Sequence, residues 1–246
     1  MKISVHTLVK NEERFVWYAI NSVISFVDEI LVWDNGSTDN TIKIIQSIKS
    51  PKIKFNNFAG VPSLARQRML EETKADWILI LDGDEIWWES SIKQLVSGIR
   101  NNYDCVVTPN YMLVGDIFHY QEGKAGKYKI ANRTGHLNIR FVRNAPGLHV
   151  KGVYPNEAYV TKEGVKIQNF PKEKIYFSDT PYLHTSFLKK KKYELGIPFP
   201  LDFYYPEVLF IPRPKIIPSP WVCTNYGYKF QAVWQTPLKK IKRRIR

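Results

Sequence analysis

The chain has 246 residues, 44% of them apolar and 14% aromatic, enough at this length to bury one sizeable core. The formal net charge is +13, but residues 185–246 carry thirteen Lys or Arg against Glu194, Asp202 and Glu207, which leaves the remainder near neutral and speaks against a domain whose whole surface coats nucleic acid. Cys105 and Cys223 lie far apart, so neither a disulfide framework nor a CxxC metal site is present, and no stretch reaches the ~20 apolar residues of a membrane span.

From the N-terminus, residues 2–10 form an apolar, branched strand that ends in Lys10-Asn11-Glu12. A helix is expected over 12–26, with Phe15, Ala19, Val23 and Phe26 at helical spacing. A short strand runs from Asp28 to Trp33 and turns at Asp34-Asn35-Gly36. Ser37 or Thr38 is expected to cap the next helix, which Pro51 stops. A strand over 52–57, a helix opened by Pro62, and the apolar run Trp77–Leu81 follow. That run breaks into Asp82-Gly83-Asp84-Glu85, and a fourth helix carries Ile92, Leu95, Val96 and Ile99. Strands alternating with helices predict an α/β fold, a mostly parallel central sheet with helices on both faces. Ligands bind such sheets beyond the carboxyl ends of the strands, where all three polar clusters fall.

Beyond residue 104 the pattern shifts to shorter strands over 105–113, 138–142, 157–160 and 175–178, a mixed or antiparallel second half. The glycine-rich stretch 115–136 is expected to be a mobile loop, and the proline-rich 195–221 an extended, wrapping segment. The chain ends in PLKKIKRRIR, residues 237–246, a basic amphipathic segment suited to an anionic membrane surface. The expected organisation is therefore 1–103 as an alternating α/β half, 104–194 as a mixed second half of the same domain, and 195–246 as a wrapping segment with a basic tail.

The strongest chemical signal is LILDGDEIW at 79–87. Two carboxylates flank a glycine at the end of a buried strand, hard oxygen ligands that suit magnesium or manganese. It is preceded in order by KNEE (10–13), WDNGSTDNT (33–41) and GVPSLARQRML (60–70). Together these motifs resemble glycosyltransferase family 2, whose members carry the GT-A fold.

The resemblance implies a metal-dependent transfer from a nucleoside-diphosphate sugar, with 1–103 as the nucleotide-sugar-binding half and 104–194 as the acceptor-binding and catalytic half of the same domain. Thr7, Val9 and Glu12 would line the base and ribose pocket, Asp34 would accept a hydrogen bond from the base, and Arg66 would touch the nucleotide side of the donor. Asp82 would lie against ribose or donor sugar, and Asp84 would ligate manganese or magnesium with His184, His149 being the competing histidine. Lys189–Lys192 follow His184 closely enough to lean toward the phosphates. Glu157 is the expected base of an inverting transfer to a hydroxyl of a glycan, a lipid-linked glycan or a protein, with Asp116 and Asp179 in reserve. Asn35 stands where many members have Asp, and Asn156 where relatives often carry His. The alternatives are a nucleotidyltransferase, a basic nucleic-acid-binding protein and a non-catalytic sugar-nucleotide-binding relative. The expected location is cytoplasmic, or peripheral at a membrane.

Overall fold

The computed structural model describes residues 1–99, 102–153, 156–189 and 192–244. Its first hundred residues fold as alternating strands and helices: β1 (Ile3–Val9), α1 (Val16–Val23), β2 (Glu29–Asp34), α2 (Thr41–Ser47), β3 (Ile53–Asn57), α3 (Pro62–Glu72), β4 (Trp77–Ile80), β5 (Glu85–Trp87) and α4 (Glu89–Gly98). β1, β2 and β4 are almost wholly buried, as strands covered on both faces must be. Pro62 occupies the first turn of α3, where its missing N–H costs nothing. The cap of α2 differs from expectation. Asn40 stands at the N-cap, while Ser37 and Thr38 bond to Asn11 instead.

The second half adds β6 (Cys105–Met112), β7 (His119–Tyr120), β8 (Tyr128–Ile130), β9 (Arg133–Gly135), β10 (Leu137–Arg143), β11 (His149–Lys151), β12 (Ala158–Val160), β13 (Ile175–Phe177), β14 (Tyr182–His184), α5 (Ser186–Lys189), β15 (Ile197–Pro198) and α6 (Tyr226–Arg244). One nine-stranded sheet joins both halves in the order β3-β2-β1-β4-β10-β6-β14-β5, with β13 also on β6. β3, β2, β1 and β4 are parallel, whereas β10 runs antiparallel between β4 and β6. The result is a mixed α/β sheet. Trp77, Trp87, Tyr18, Tyr182, Phe15 and Phe141 are the largest fully buried side chains, and Trp87 stacks on Tyr182 at 4.7 Å.

Residues 115–136 are not one irregular loop. They hold β7 and the β8–β9 hairpin, and Gly126 lies so close to Gly135 and His136 that a Cβ there would come within 2.1 Å of their backbone. The 195–221 segment pairs β15 with β7, makes a 3-10 turn at Glu207–Leu209, and packs Phe199, Phe203 and Tyr205 on one another. The basic tail is the end of a 19-residue helix that begins at Tyr226, eleven residues before the amphipathic stretch expected from sequence, with Pro237 inside it. Ile245 and Arg246 of that tail lie outside the described residues, as do Lys190 and Lys191 of the lysine run.

Candidate active site

The site stands on the carboxyl edge of β1, β2 and β4. Its first wall is a pair of interlocked turns. Asn11 takes a positive φ of 56°, and its Oδ1 accepts the Thr38 N–H at 2.8 Å while its own N–H donates to Ser37 Oγ at 2.8 Å. Glu12 N–H donates to Thr41 Oγ1 at 2.7 Å, and Glu13 Oε2 accepts the Asn40 N–H at 3.0 Å. Asp34, at the end of β2, is fully buried. Its Oδ2 takes the N–H groups of Gly36 and Ser37 at 2.9 and 2.8 Å, and its Oδ1 has no partner. Asn35 Oδ1 accepts the Gly60 N–H at 3.0 Å and so ties this turn to the segment that opens α3. The polar residues of both motifs thus hold the loops, while one Asp34 oxygen is left buried without a partner.

The acidic turn between β4 and β5 forms the second wall. A Cβ on Gly83 would lie 2.9 Å from Glu12 Cγ and 3.0 Å from Val9 Cγ1, so glycine lets this turn close on the end of β1. Asp82 faces two arginines: Arg140 from β10, Nη2 to Oδ2 3.1 Å, and Arg66 from α3, Nη2 to Oδ1 3.7 Å. Arg140 also pairs with the fully buried Glu85 and donates from Nε to Tyr182 Oη at 3.2 Å. On the other side of the turn, β14 pairs with β5 and aligns His184 with Glu85. His184 Nε2 then lies 3.5 Å from Asp84 Oδ1, and Lys189 Nζ lies 2.8 Å from Asp84 Oδ2 while pairing with Glu12. Glu157, just before β12, sits on the far side of Arg66, Oε1 to Nε 3.6 Å, with Oε2 buried and unpartnered.

The electrostatics follow from this packing. Burial would raise the Asp84 carboxyl, but His184 and Lys189 outweigh it and hold the group well below the usual carboxylate range. Burial is likewise overcome at Asp82 by Arg140 and Arg66, which lower it. Burial dominates at Glu85 and pushes it up to about 7 against the pull of Arg140. Glu12 is raised by burial and by the Asp84 charge, with Lys189 opposing. His184 is raised because Asp84 more than offsets its desolvation. The site therefore holds Asp82 and Asp84 as carboxylates beside Arg66, Arg140 and Lys189, with His184 next to Asp84.

Glu12, Arg66, Asp82, Asp84, Glu157 and His184 form one connected cluster, and Asp34 lines the same edge. Thr7 and Val9 are buried on β1, and the Thr7 hydroxyl is among the buried groups without a partner. His149 stands on β11 with its Nδ1 3.0 Å from the Gly147 carbonyl, and Asp179 is exposed. Asp116 is engaged by His119, by the Phe118 N–H and by Thr224. Sequence reasoning missed Arg140 and Glu85. The available signal for Arg140 was a cation at the centre of the apolar strand LNIRFVR.

Residues 4–148, more than half of the chain, match the family model described as "Glycosyl transferase family 2". The chain belongs to glycosyltransferase family 2. This family 2 chain is 30% identical over 112 residues to the SPbeta prophage-derived glycosyltransferase SunS of Bacillus subtilis (strain 168), covering 44% of this chain and 26% of that protein. It is 40% identical over 86 residues to an uncharacterized glycosyltransferase of Rickettsia bellii (strain RML369-C), covering 34% of this chain and 28% of that one. The matched part thus spans only about a quarter of these curated relatives' length. Among solved structures, S. aureus TarS 1–349 superposes with a TM-score of 0.50 at 18% identity, over 76% of this chain and 61% of that chain. The same TarS fragment in complex with UDP gives 0.50 at 16% identity, over 75% and 60%. The fold of this family 2 chain is that of the GT-A glycosyltransferases.

Divalent metals are common among GT-A glycosyltransferases, and the donor types here fit one. Asp84 offers a hard oxygen and His184 an imidazole nitrogen, facing each other at 3.5 Å. Among the described residues no group of three or more His, Cys, Asp or Glu side chains is arranged to hold a metal. Magnesium-like ions are nevertheless commonly bound by one or two carboxylates together with substrate phosphates, so a two-residue protein contribution suits that chemistry.

Proposed function

We propose that this family 2 enzyme moves a sugar from a nucleoside-diphosphate sugar to a hydroxyl acceptor with inversion at the anomeric carbon. The observation that carries this reading is Glu157, whose Oε2 is buried and unpartnered beside Arg66, which also faces Asp82. A buried carboxylate oxygen with no internal partner costs about 1–3 kcal/mol, so it is kept for a ligand to satisfy. In the transfer, Glu157 takes the acceptor hydroxyl proton as the acceptor oxygen bonds to the anomeric carbon and the bond to the diphosphate breaks.

The first 103 residues form the donor half in this reading. Asp34 Oδ1 accepts from the base, Thr7, Val9 and Glu12 line the nucleoside pocket, Arg66 contacts the nucleotide side of the donor, and Asp82 orients ribose or sugar. Arg140 keeps Asp82 ionised and in place. Asp84 and His184 would hold a manganese or magnesium ion, which would supply positive charge to the departing diphosphate. Residues 104–194 carry the base and the acceptor side, and 195–246 wrap the body. The acceptor is a glycan, a lipid-linked glycan or a protein. The lipid-linked class, met at a membrane surface, has the support of the exposed face of α6.

The test is release of nucleoside diphosphate from a panel of sugar nucleotides, with manganese, magnesium or EDTA, for wild type and Asp84→Ala. Release from one donor that needs both metal and Asp84 supports the proposal. If no donor is turned over and none binds with metal by calorimetry, the reading fails.

A further inference from the structure

The C-terminal helix α6 has two unlike faces. One is fastened to the body. Ala232 and Thr236 are buried, and Thr236 Oγ1 accepts the Leu195 N–H at 2.8 Å. Tyr228 Oη donates to the Lys192 carbonyl at 2.7 Å, and Lys239 Nζ to the Tyr193 carbonyl at 2.6 Å. Arg243 pairs with Glu194 and Glu122 at 2.8 and 3.2 Å. A helix held this firmly by one side has no need of the other side for folding.

The other side is nonetheless apolar. Tyr226, Phe230, Val233, Trp234, Leu238 and Ile241 are each more than half exposed, Tyr226 at 91% and Trp234 at 68%. Their spacing of three and four residues puts them on one stripe. Isolated exposed apolar residues are ordinary, but six large ones in a row on a single helix mark an interaction surface. The helix contains no Asp or Glu, and Lys229, Lys240 and Lys242 are exposed alongside the stripe. Basic side chains beside an apolar face that includes Trp, Tyr and Phe are the composition of a helix lying in the headgroup region of an anionic bilayer. No helix among the described residues is long and apolar enough to cross a membrane, so such a helix lies along the surface.

We infer that the outward face of α6 docks the protein on an anionic lipid surface. The stripe from Tyr226 to Ile241 enters the headgroup boundary, and the lysines sit among the headgroups. The inference stands on the helix face alone and deepens the proposed transfer by favouring an acceptor met at a membrane. It also moves the docking element: removing 237–246 leaves Tyr226, Phe230, Val233 and Trp234 in place. The fastened face grips residues 192–195, a few positions beyond His184 and Lys189.

The experiment is flotation of the full chain with vesicles of phosphatidylcholine alone and with about a third phosphatidylglycerol, for wild type, Phe230→Ser/Trp234→Ser and Lys229→Gln/Lys242→Gln. Wild type is expected to float with the anionic vesicles. The aromatic variant should lose at least about tenfold in partitioning, and the lysine variant should lose binding most at low salt. Far-ultraviolet circular dichroism and a thermal unfolding midpoint unchanged in both variants report an intact fold. Absence of flotation, or flotation equal in the aromatic variant, overturns the inference. So does a wild-type dimer in light scattering that the aromatic variant dissociates without any lipid binding, since a second copy then covers the stripe. Flotation needs no donor turnover, so failure of the transferase reading leaves this result standing and separately readable.

Discussion

Lys189 Nζ lies 2.8 Å from Asp84 Oδ2 and also pairs with Glu12, so an ammonium group holds together the end of β1 and the acidic turn after β4. A divalent cation bound by Asp84 meets this charge as a competitor. Lys189→Met is expected to tighten manganese binding to the donor-free protein by about tenfold, equivalent to ~1.4 kcal/mol. Calorimetric titration with manganese alone measures it, and unchanged affinity would show that the lysine does not compete.

Glu157→Gln keeps the shape of the proposed base and removes its ability to take a proton. The turnover rate with acceptor is expected to fall by roughly 10²–10⁴-fold. Binding of the nucleoside diphosphate should stay within a few-fold of wild type. A variant that transfers at the wild-type rate would move the base elsewhere.

Asp34 uses one oxygen to close its own turn and leaves the other free. Asp34→Asn retains an acceptor for the Gly36 and Ser37 N–H groups but presents an amide N–H in place of the unpartnered carboxylate oxygen proposed to meet the base. Donor affinity is expected to weaken by about 10–100-fold, a loss of ~1.4–3 kcal/mol. Thermal unfolding should move little, whereas a collapse in stability with unchanged donor affinity would make Asp34 a turn residue alone.

His6 is buried on β1 between Thr73 Oγ1 and Tyr159 Oη, at 2.6 and 3.4 Å, and burial, helped by Arg66, lowers its pKa from 6.5 to about 3. The unfolded chain takes up a proton on this ring below pH 6.5, while the folded chain refuses it until about pH 3. The stability from this group is therefore complete above pH 6.5 and is lost as the pH falls toward 3. The stability of wild type minus that of His6→Gln should rise across this window by on the order of 4 kcal/mol. Urea unfolding at several pH values measures it, and a flat difference would place a charged imidazole in the core.

Much of the carboxyl edge of the sheet was legible in the sequence because its signals are local. A buried apolar run that stops at Asp82 declares a strand end, and Pro62 declares a helix start. Asp34-Asn35-Gly36 and Lys10-Asn11-Glu12 declare turns on the same edge of the sheet. Their side chains mostly bond to backbone within the two turns, so short motifs carry them. The cap of α2 was misplaced because Ser37 and Thr38, both sound capping residues, are drawn away to Asn11, a contact between turns that local propensity cannot register.

The sequence by itself determined the alternating strands and helices, the three polar strand ends, and the family. Each depends on periodicity or on residues within a few positions of one another. Only the tertiary structure decided that Arg140 grips Asp82 and Glu85, that β14 sets His184 against Asp84, and that Glu157 stands across Arg66 from the acidic turn. It also decided which side of α6 is spent on the body and which is left bare. These relationships depend on strand register and on the burial of charge between elements far apart in the chain, and no local pattern of residue types encodes which distant partner a buried charge will find.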